Sequence, residues 1–217
     1  MTDWLRTFSE HDQIGAIAVL CTGDADQRHT GILHRVAGTL RVLDLQWHHR
    51  LRNDPPPAAF VWVCPPLAEE DADSLAAFCR LLWTRHEREQ GIPYALRFES
   101  TCFDRATGAL LLGGGALGLT CATFVLAVFH SLRLPLVDPA AWPPRDEDSA
   151  WQARIVTLLR ASRDPSAQAH ADRVAAEIGS ARFRPEEVVA AASARQLPAS
   201  FAHATERAGQ VLNALAG

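Results

Sequence analysis

Residues 14–63 alternate short apolar runs with turn residues, whereas beyond residue 69 the apolar positions recur at helical spacing. Residues 14–21 form an apolar run stopped by Thr22-Gly23-Asp24, which predicts a buried strand. Residues 28–36 and 39–45 are rich in β-formers and separated only by Ala37-Gly38, the composition of a hairpin. Asn53-Asp54 followed by Pro55-Pro56-Pro57 predicts a turn or extended loop, and 60–63 predicts a short strand stopped by Pro65-Pro66. In 69–90, Leu75, Phe78, Cys79, Leu82, Trp83 and His86 recur at i, i+3, i+4, with acids at the start and Gly91 past the end: a helix. Residues 95–103 hold one or two short strands.

The stretch 113–130 is different in kind. A glycine-rich loop leads into a run in which nearly every residue from Thr120 onward is apolar, and a helix apolar on all sides is buried. Its first turn carries Cys121, where unpaired backbone N–H groups and the positive end of the helix dipole stabilise a thiolate. Two plainer readings compete. Free cysteine is often inert core material. Residues 109–129 are also long and uncharged enough to cross a bilayer, although Gly113-Gly114-Gly115 weakens a helix there and no second span accompanies it.

After Pro135, residues 139–148 read as a linker and the remainder as alanine-rich helices. Trp151, Ile155, Leu158 and Leu159 make one apolar stripe, closed by Asp164-Pro165; a second helix covers 166–178, a third begins at Pro185, and Leu197-Pro198 separates a fourth. Nothing in this tail suggests chemistry. The expected organisation is a domain over 1–138 with a helical extension over 139–217.

Composition narrows the chemistry. The chain of 217 residues has a net charge of -4 and no lysine, so it offers no basic footprint for nucleic acid and no lysine-based phosphate loop, Schiff base or general base. Its five cysteines are scattered and form no Cys-x-x-Cys pair, which argues against a zinc ribbon or a thioredoxin-type motif. No signal-peptide pattern opens the sequence. Free thiols then suggest a reducing cytoplasm, although export by a signal-independent route would look the same.

With a two-residue loop at Ala37-Gly38, Val36 pairs with Thr39 and Gly31 lies opposite Asp44. Alternation then puts His29, Gly31, Asp44 and Gln46 on one side. His29 and Asp44 become diagonal neighbours, roughly 6–8 Å apart at Cβ and within reach of a carboxylate–imidazole hydrogen bond. Asp44 interrupts Val42-Leu43-Asp44-Leu45, where a buried carboxylate needs a partner. Gly31 leaves room beside it for another element, such as a helix terminus.

The order His29-Thr30-Gly31-Ile32-Leu33, then Leu40-Arg41-Val42-Leu43-Asp44-Leu45, and much later Leu119-Thr120-Cys121-Ala122-Thr123-Phe124 resembles the circularly permuted NlpC/P60 papain-like hydrolases, whose best-known branch is the lecithin:retinol acyltransferase-like proteins. The resemblance implies an α+β fold, an antiparallel sheet packed on a buried central helix. It implies Cys121 as nucleophile, His29 as base and acid, and Asp44 as orienting residue, a position where many permuted members carry histidine. The expected activity is that of a cysteine hydrolase, peptidase, amidase or acyltransferase working through an acyl-enzyme without cofactor or metal. Its substrate is an acyl-bearing peptide, lipid or small amide. Oxyanion or cleft candidates are Gln46, His48, Gly31 and Thr120.

Of the other histidines, His48 and His49 read as exposed or capping residues, with the alternative that His48 lines the cleft or replaces His29 as base, while His34 and His86 read as structural and His130 suits a helix C-terminus. A zinc site from His29, His34, His48 and Asp44 has no dedicated spacing. The alternative function is a non-catalytic interaction protein on the same scaffold, neither nucleic-acid-binding nor integral to a membrane, meeting a protein partner through 150–217.

Overall fold

The computed structural model describes residues 4–24, 27–87, 91–99 and 101–216. The fold is α+β. Its sheet has six antiparallel strands: β1 (Arg6–Thr7), β2 (Ile17–Gly23), β3 (Arg28–Val36), β4 (Thr39–Trp47), β5 (Arg50–Asp54) and β6 (Val61–Val63), in the order β1-β6-β2-β3-β4-β5. Helix α1 (Glu69–His86) follows, then a small hairpin of β7 (Cys102–Phe103) and β8 (Leu110–Leu111), then α2 (Cys121–Ser131). The chain ends in α3 (Ser149–Arg160), α4 (Pro165–Ala175), α5 (Pro185–Ala192) and α6 (Phe201–Ala216).

The hairpin register is the one the sequence predicts. Val36 pairs with Thr39 and Ile32 with Leu43, and Ala37 and Gly38 take φ of 49° and 81°, as a two-residue primed turn requires. β5 was not anticipated: 50–54 pairs with β4 from Trp47–Arg50 to Val42–Asp54, so Asn53 and Asp54 are strand residues and only the prolines leave the sheet. The expected 69–90 helix ends at His86, with 88–90 outside the described residues.

One face of the sheet packs Val19, Ile32, Leu43 and Val61 against Leu75, Phe78 and Leu82 of α1 and Phe124, Val125 and Val128 of α2, all in one continuous core. Val188 and Val189 of α5 and Ala204 and Val211 of α6 belong to that same core. The other face gathers Ile14, Leu20, Leu33, Val42, Phe60 and Trp62 into a separate cluster. α2 is buried along almost its whole length, as an all-apolar sequence demands. Among the described residues no helix is long and apolar enough to cross a membrane.

Residues 139–148 are not a linker. Trp142 stacks on Phe183 with ring centroids 5.1 Å apart and meets Phe201 edge-on. Asp148, 1% exposed, accepts hydrogen bonds from Arg145, Arg182 and Arg184. The stretch that reads as a linker thus includes the centre of a buried ion-pair cluster.

Candidate active site

The β3–β4 ladder runs from the turn to the Ile32–Leu43 pair, and the site lies just beyond that end. His29 Nε2 and Asp44 Oδ2 are 2.5 Å apart, the cross-strand contact expected from the register. Gly31 makes it possible. A Cβ there would come within 2.8 Å of Asp44 Cβ and 2.9 Å of Val42 Cγ1. The space left by Gly31 is therefore filled by its own hairpin partners and not by a helix terminus, and Gly31 does not line the cleft.

α2 begins at the same point. Thr120 Oγ1 accepts the N–H of Thr123, and Thr123 Oγ1 accepts the N–H of Thr120, a reciprocal cap that fixes the helix start. The Cys121 sulfur meets the His29 imidazole and the backbone N–H groups of Thr30 and Ala122. Since Nε2 of His29 is taken by Asp44, it is Nδ1 that faces the sulfur.

Burial alone would raise the Cys121 pKa. The charge and hydrogen bond of His29, with the N–H groups of Thr30 and Ala122, hold it below the ordinary thiol value. Burial likewise works to lower the His29 pKa, but the Cys121 sulfur and the Asp44 carboxylate outweigh it and raise it to about 10. The two shifts together favour a thiolate–imidazolium pair. The other thiols go the opposite way: burial raises Cys21 strongly, Cys79 to about 12, and also lifts Cys64 and Cys102.

Cys121, 8% exposed, opens onto a partly open cavity of about 240 Å³. His29, Gln46, Trp47, Thr120 and Ala122 line it from the sheet and α2, and Tyr94 lines it from the segment between α1 and β7. The opposite wall comes from the C-terminal helices: Trp151, Arg154, Ile155 and Leu158 of α3, and residues 182–186 at the start of α5. A more open groove adjoins the cavity past His29, lined by Gly23, Gln27, Gln46, Trp47 and Arg50 among others.

The chain matches no family model, no curated protein and no solved structure.

The cysteine, histidine and aspartate singled out in the sequence thus meet at one point, with Thr120 capping the helix beside them and Gln46 exposed at the cavity mouth. Gln46 sits in a β-bulge between Leu45 and Trp47, which ends the simple alternation used to place it. His48 does not line the cleft and does not take the place of the base. It is buried, its Nδ1 accepts the N–H of Tyr94 at 3.1 Å, and its ring packs on His49 and His170. Burial first, then the neighbouring histidines, lower its pKa to about 4. His34 meets Asn53 Oδ1 and His86 meets the Gly108 carbonyl, both at 2.9 Å. Among the described residues no cluster of His, Cys, Asp or Glu is arranged to hold a metal ion.

Sequence reasoning missed Tyr94 and the whole C-terminal wall. The 93–95 segment runs beside 117–119, with Leu119 N–H donating to the Pro93 carbonyl at 2.9 Å. Gly118 permits that approach, since a Cβ there would lie 2.2 Å from the Pro93 oxygen. The ring of Tyr94 packs on Trp47 at 4.9 Å. Burial, and then the nearby Cys121, push its phenol well above its ordinary pKa, so it stays a hydrogen-bond donor. Glu177, from beyond α4, accepts the N–H groups of Leu96 and Arg97 and pins this segment from the far side. The Gly-x-Pro-Tyr punctuation at 91–94 was the one sequence signal available, and it marks a turn without saying what the turn carries.

Proposed function

We propose that this protein is a cysteine hydrolase or acyltransferase of the permuted NlpC/P60 papain-like kind, with Cys121 as nucleophile, His29 as base and acid, and Asp44 as the residue that orients the imidazole. The observation that carries this reading is the continuous chain from Asp44 Oδ2 through His29 to the Cys121 sulfur at a helix N-terminus. A low-pKa thiol beside an oriented imidazole is the arrangement nucleophilic acyl transfer needs.

The thiolate adds to the acyl carbonyl, forming a C–S bond and a tetrahedral oxyanion. The backbone N–H of Cys121, in the first turn of α2, is one donor for that oxygen, and the protonated phenol of Tyr94, which lines the same cavity, is the second. Collapse breaks the bond to the leaving group, which takes a proton from His29. Neutral His29 then removes a proton from water, or from an acceptor amine or alcohol. The resulting attack on the thioester releases the acyl product and restores the thiolate.

Alkylation tests the reading. Iodoacetamide at about pH 6.5 labels Cys121 ahead of the exposed Cys64, because only the Cys121 pKa is depressed. The rate climbs with pH only up to that depressed pKa, in contrast to an ordinary thiol, whose rate keeps climbing toward 9. His29→Ala removes both the imidazolium and the advantage. Labelling of Cys121 no faster than of Cys64, or unchanged in His29→Ala, sinks the proposal.

A further inference from the structure

The cavity at Cys121 holds more positive than negative side chains, and most of the positive ones are already engaged. Arg182 donates to Asp148 and lies flat on the Trp151 ring at 3.7 Å. Arg184 donates to Asp148 and Glu147, and Arg28 stands 4.0 Å from Glu186. Arg154 is the exception: it is exposed, lines the cavity, and has no carboxylate partner among the described residues. A guanidinium with no neutralising neighbour in a concave site is a receptor for an anion.

Its neighbours define what else the ligand carries. Trp151, Arg154, Ile155 and Leu158 follow i, i+3, i+4, i+7 and form the stripe of α3 that faces the cavity. Leu158 remains 46% exposed, an apolar side chain left uncovered next to a cationic one. That pairing matches a short aliphatic chain ending in a carboxylate.

The two recesses say which half of the substrate this is. Cys121 lines the cavity and not the groove, whereas His29, like Gln46, Trp47 and Leu158, borders both. The leaving group must be protonated by His29 and depart, so it belongs in the open groove. The acyl group stays on sulfur, in the cavity. A cavity of about 240 Å³ accommodates an acyl group of modest size.

We infer that the acyl group passed to Cys121 is a short one with a carboxylate at its far end, its methylenes against Ile155 and Leu158 and its carboxylate on Arg154. The inference rests on the acyl-transfer reading above.

The test uses the full chain and two thioesters of one aryl thiol, glutaryl and its near-isosteric carboxamide, with Cys121→Ala as the blank. Acylation is read as the burst of released thiol and as the mass added at Cys121. The glutaryl ester is expected to acylate about tenfold faster. Arg154→Gln should bring that ratio close to one and Arg154→Lys should retain most of it. Arg160→Gln, on the far side of α3 and paired with Asp172, should leave the ratio as it is. Equal rates in the unsubstituted chain, or a preference that survives Arg154→Gln, overturns the assignment of the anion site while leaving the nucleophile intact. Absence of any Cys121 adduct from both esters, together with ordinary alkylation of Cys121, overturns the acyl-transfer reading and this inference with it.

Discussion

Helices α2 and α5 both begin at the cavity wall, the first with Cys121 and Ala122, the second with Pro185 and Glu186, and both are buried along nearly all their length. Their first turns are finished differently. At α5, Pro185 has no N–H to offer, and the N–H groups of Glu187 and Val188 go to the Arg184 carbonyl. The Glu187 carboxylate accepts the Arg184 N–H and pairs with Arg145. That end is closed by charge. At α2 the cap is made by two neutral hydroxyls, which leave the N–H of Ala122 for the sulfur. Two helix starts of similar burial are thus finished differently: one is tied by charge to Arg145, the other is left uncharged beside the Cys121 sulfur, as the proposed chemistry requires.

The sharpest way to break this contrast is at Asp44. The His29–Asp44 contact orients the imidazole and supports its charge, so Asp44→Ala leaves Nε2 without its acceptor and lets the ring leave the sulfur. Acylation of Cys121 should fall by about a thousandfold or more, ~4 kcal/mol of transition-state stabilisation, with Asp44→Asn intermediate. Second-order rates of acylation and alkylation check it. A rate within tenfold of the parent would mean that the open helix start alone activates the thiol.

The corresponding change at α5 should cost stability and not chemistry. Glu187 is 2% exposed and holds Arg145, itself 12% exposed. Glu187→Gln leaves that guanidinium buried with half its carboxylate partners, at a cost of about 3 kcal/mol. The urea midpoint should drop accordingly, while Cys121 acylation per folded molecule stays within about twofold. If acylation collapses in step with stability, the two helix starts are not separable and the division of labour drawn here is wrong.

How much of this could be read from the sequence follows the range of the interactions. The His29–Asp44 pair is set by a two-residue turn and strict alternation over a few residues, so the register alone brought it out. The Cys121 helix start was legible because a charge-free run after a glycine loop has one natural reading. The bulge at Gln46 and the strand β5 were not, because the partner strand, and not local propensity, decides both. The role of 139–148 was misread for a similar reason. Three acids among prolines look solvated until Arg182 and Arg184, far along the chain, arrive to bury Asp148. The C-terminal helices looked inert because their stripe of Trp151, Ile155 and Leu158 reads as core, although its edge faces the cavity and Arg154 lies within it.

Thr120 gives the smallest and most discriminating change. Thr120→Ala removes the acceptor for the Thr123 N–H at 3.1 Å and should cost about 1 kcal/mol, or ~3 °C in Tm for a chain of this size. The cost is small because α2 is packed on all sides. Thr120→Asp restores a good cap, so stability should return. It also sets a carboxylate beside the thiolate, and a like charge raises a thiol's pKa. Less thiolate is then present at any pH below that value, and alkylation near pH 6.5 should slow by about tenfold, one pKa unit's worth. Thr120→Asp is thus expected to be stable and sluggish, Thr120→Ala less stable and nearly as reactive. If aspartate instead leaves Cys121 as reactive as threonine does, a charged cap like that of α5 would have served equally well at α2. The neutral hydroxyls would then have no bearing on the chemistry.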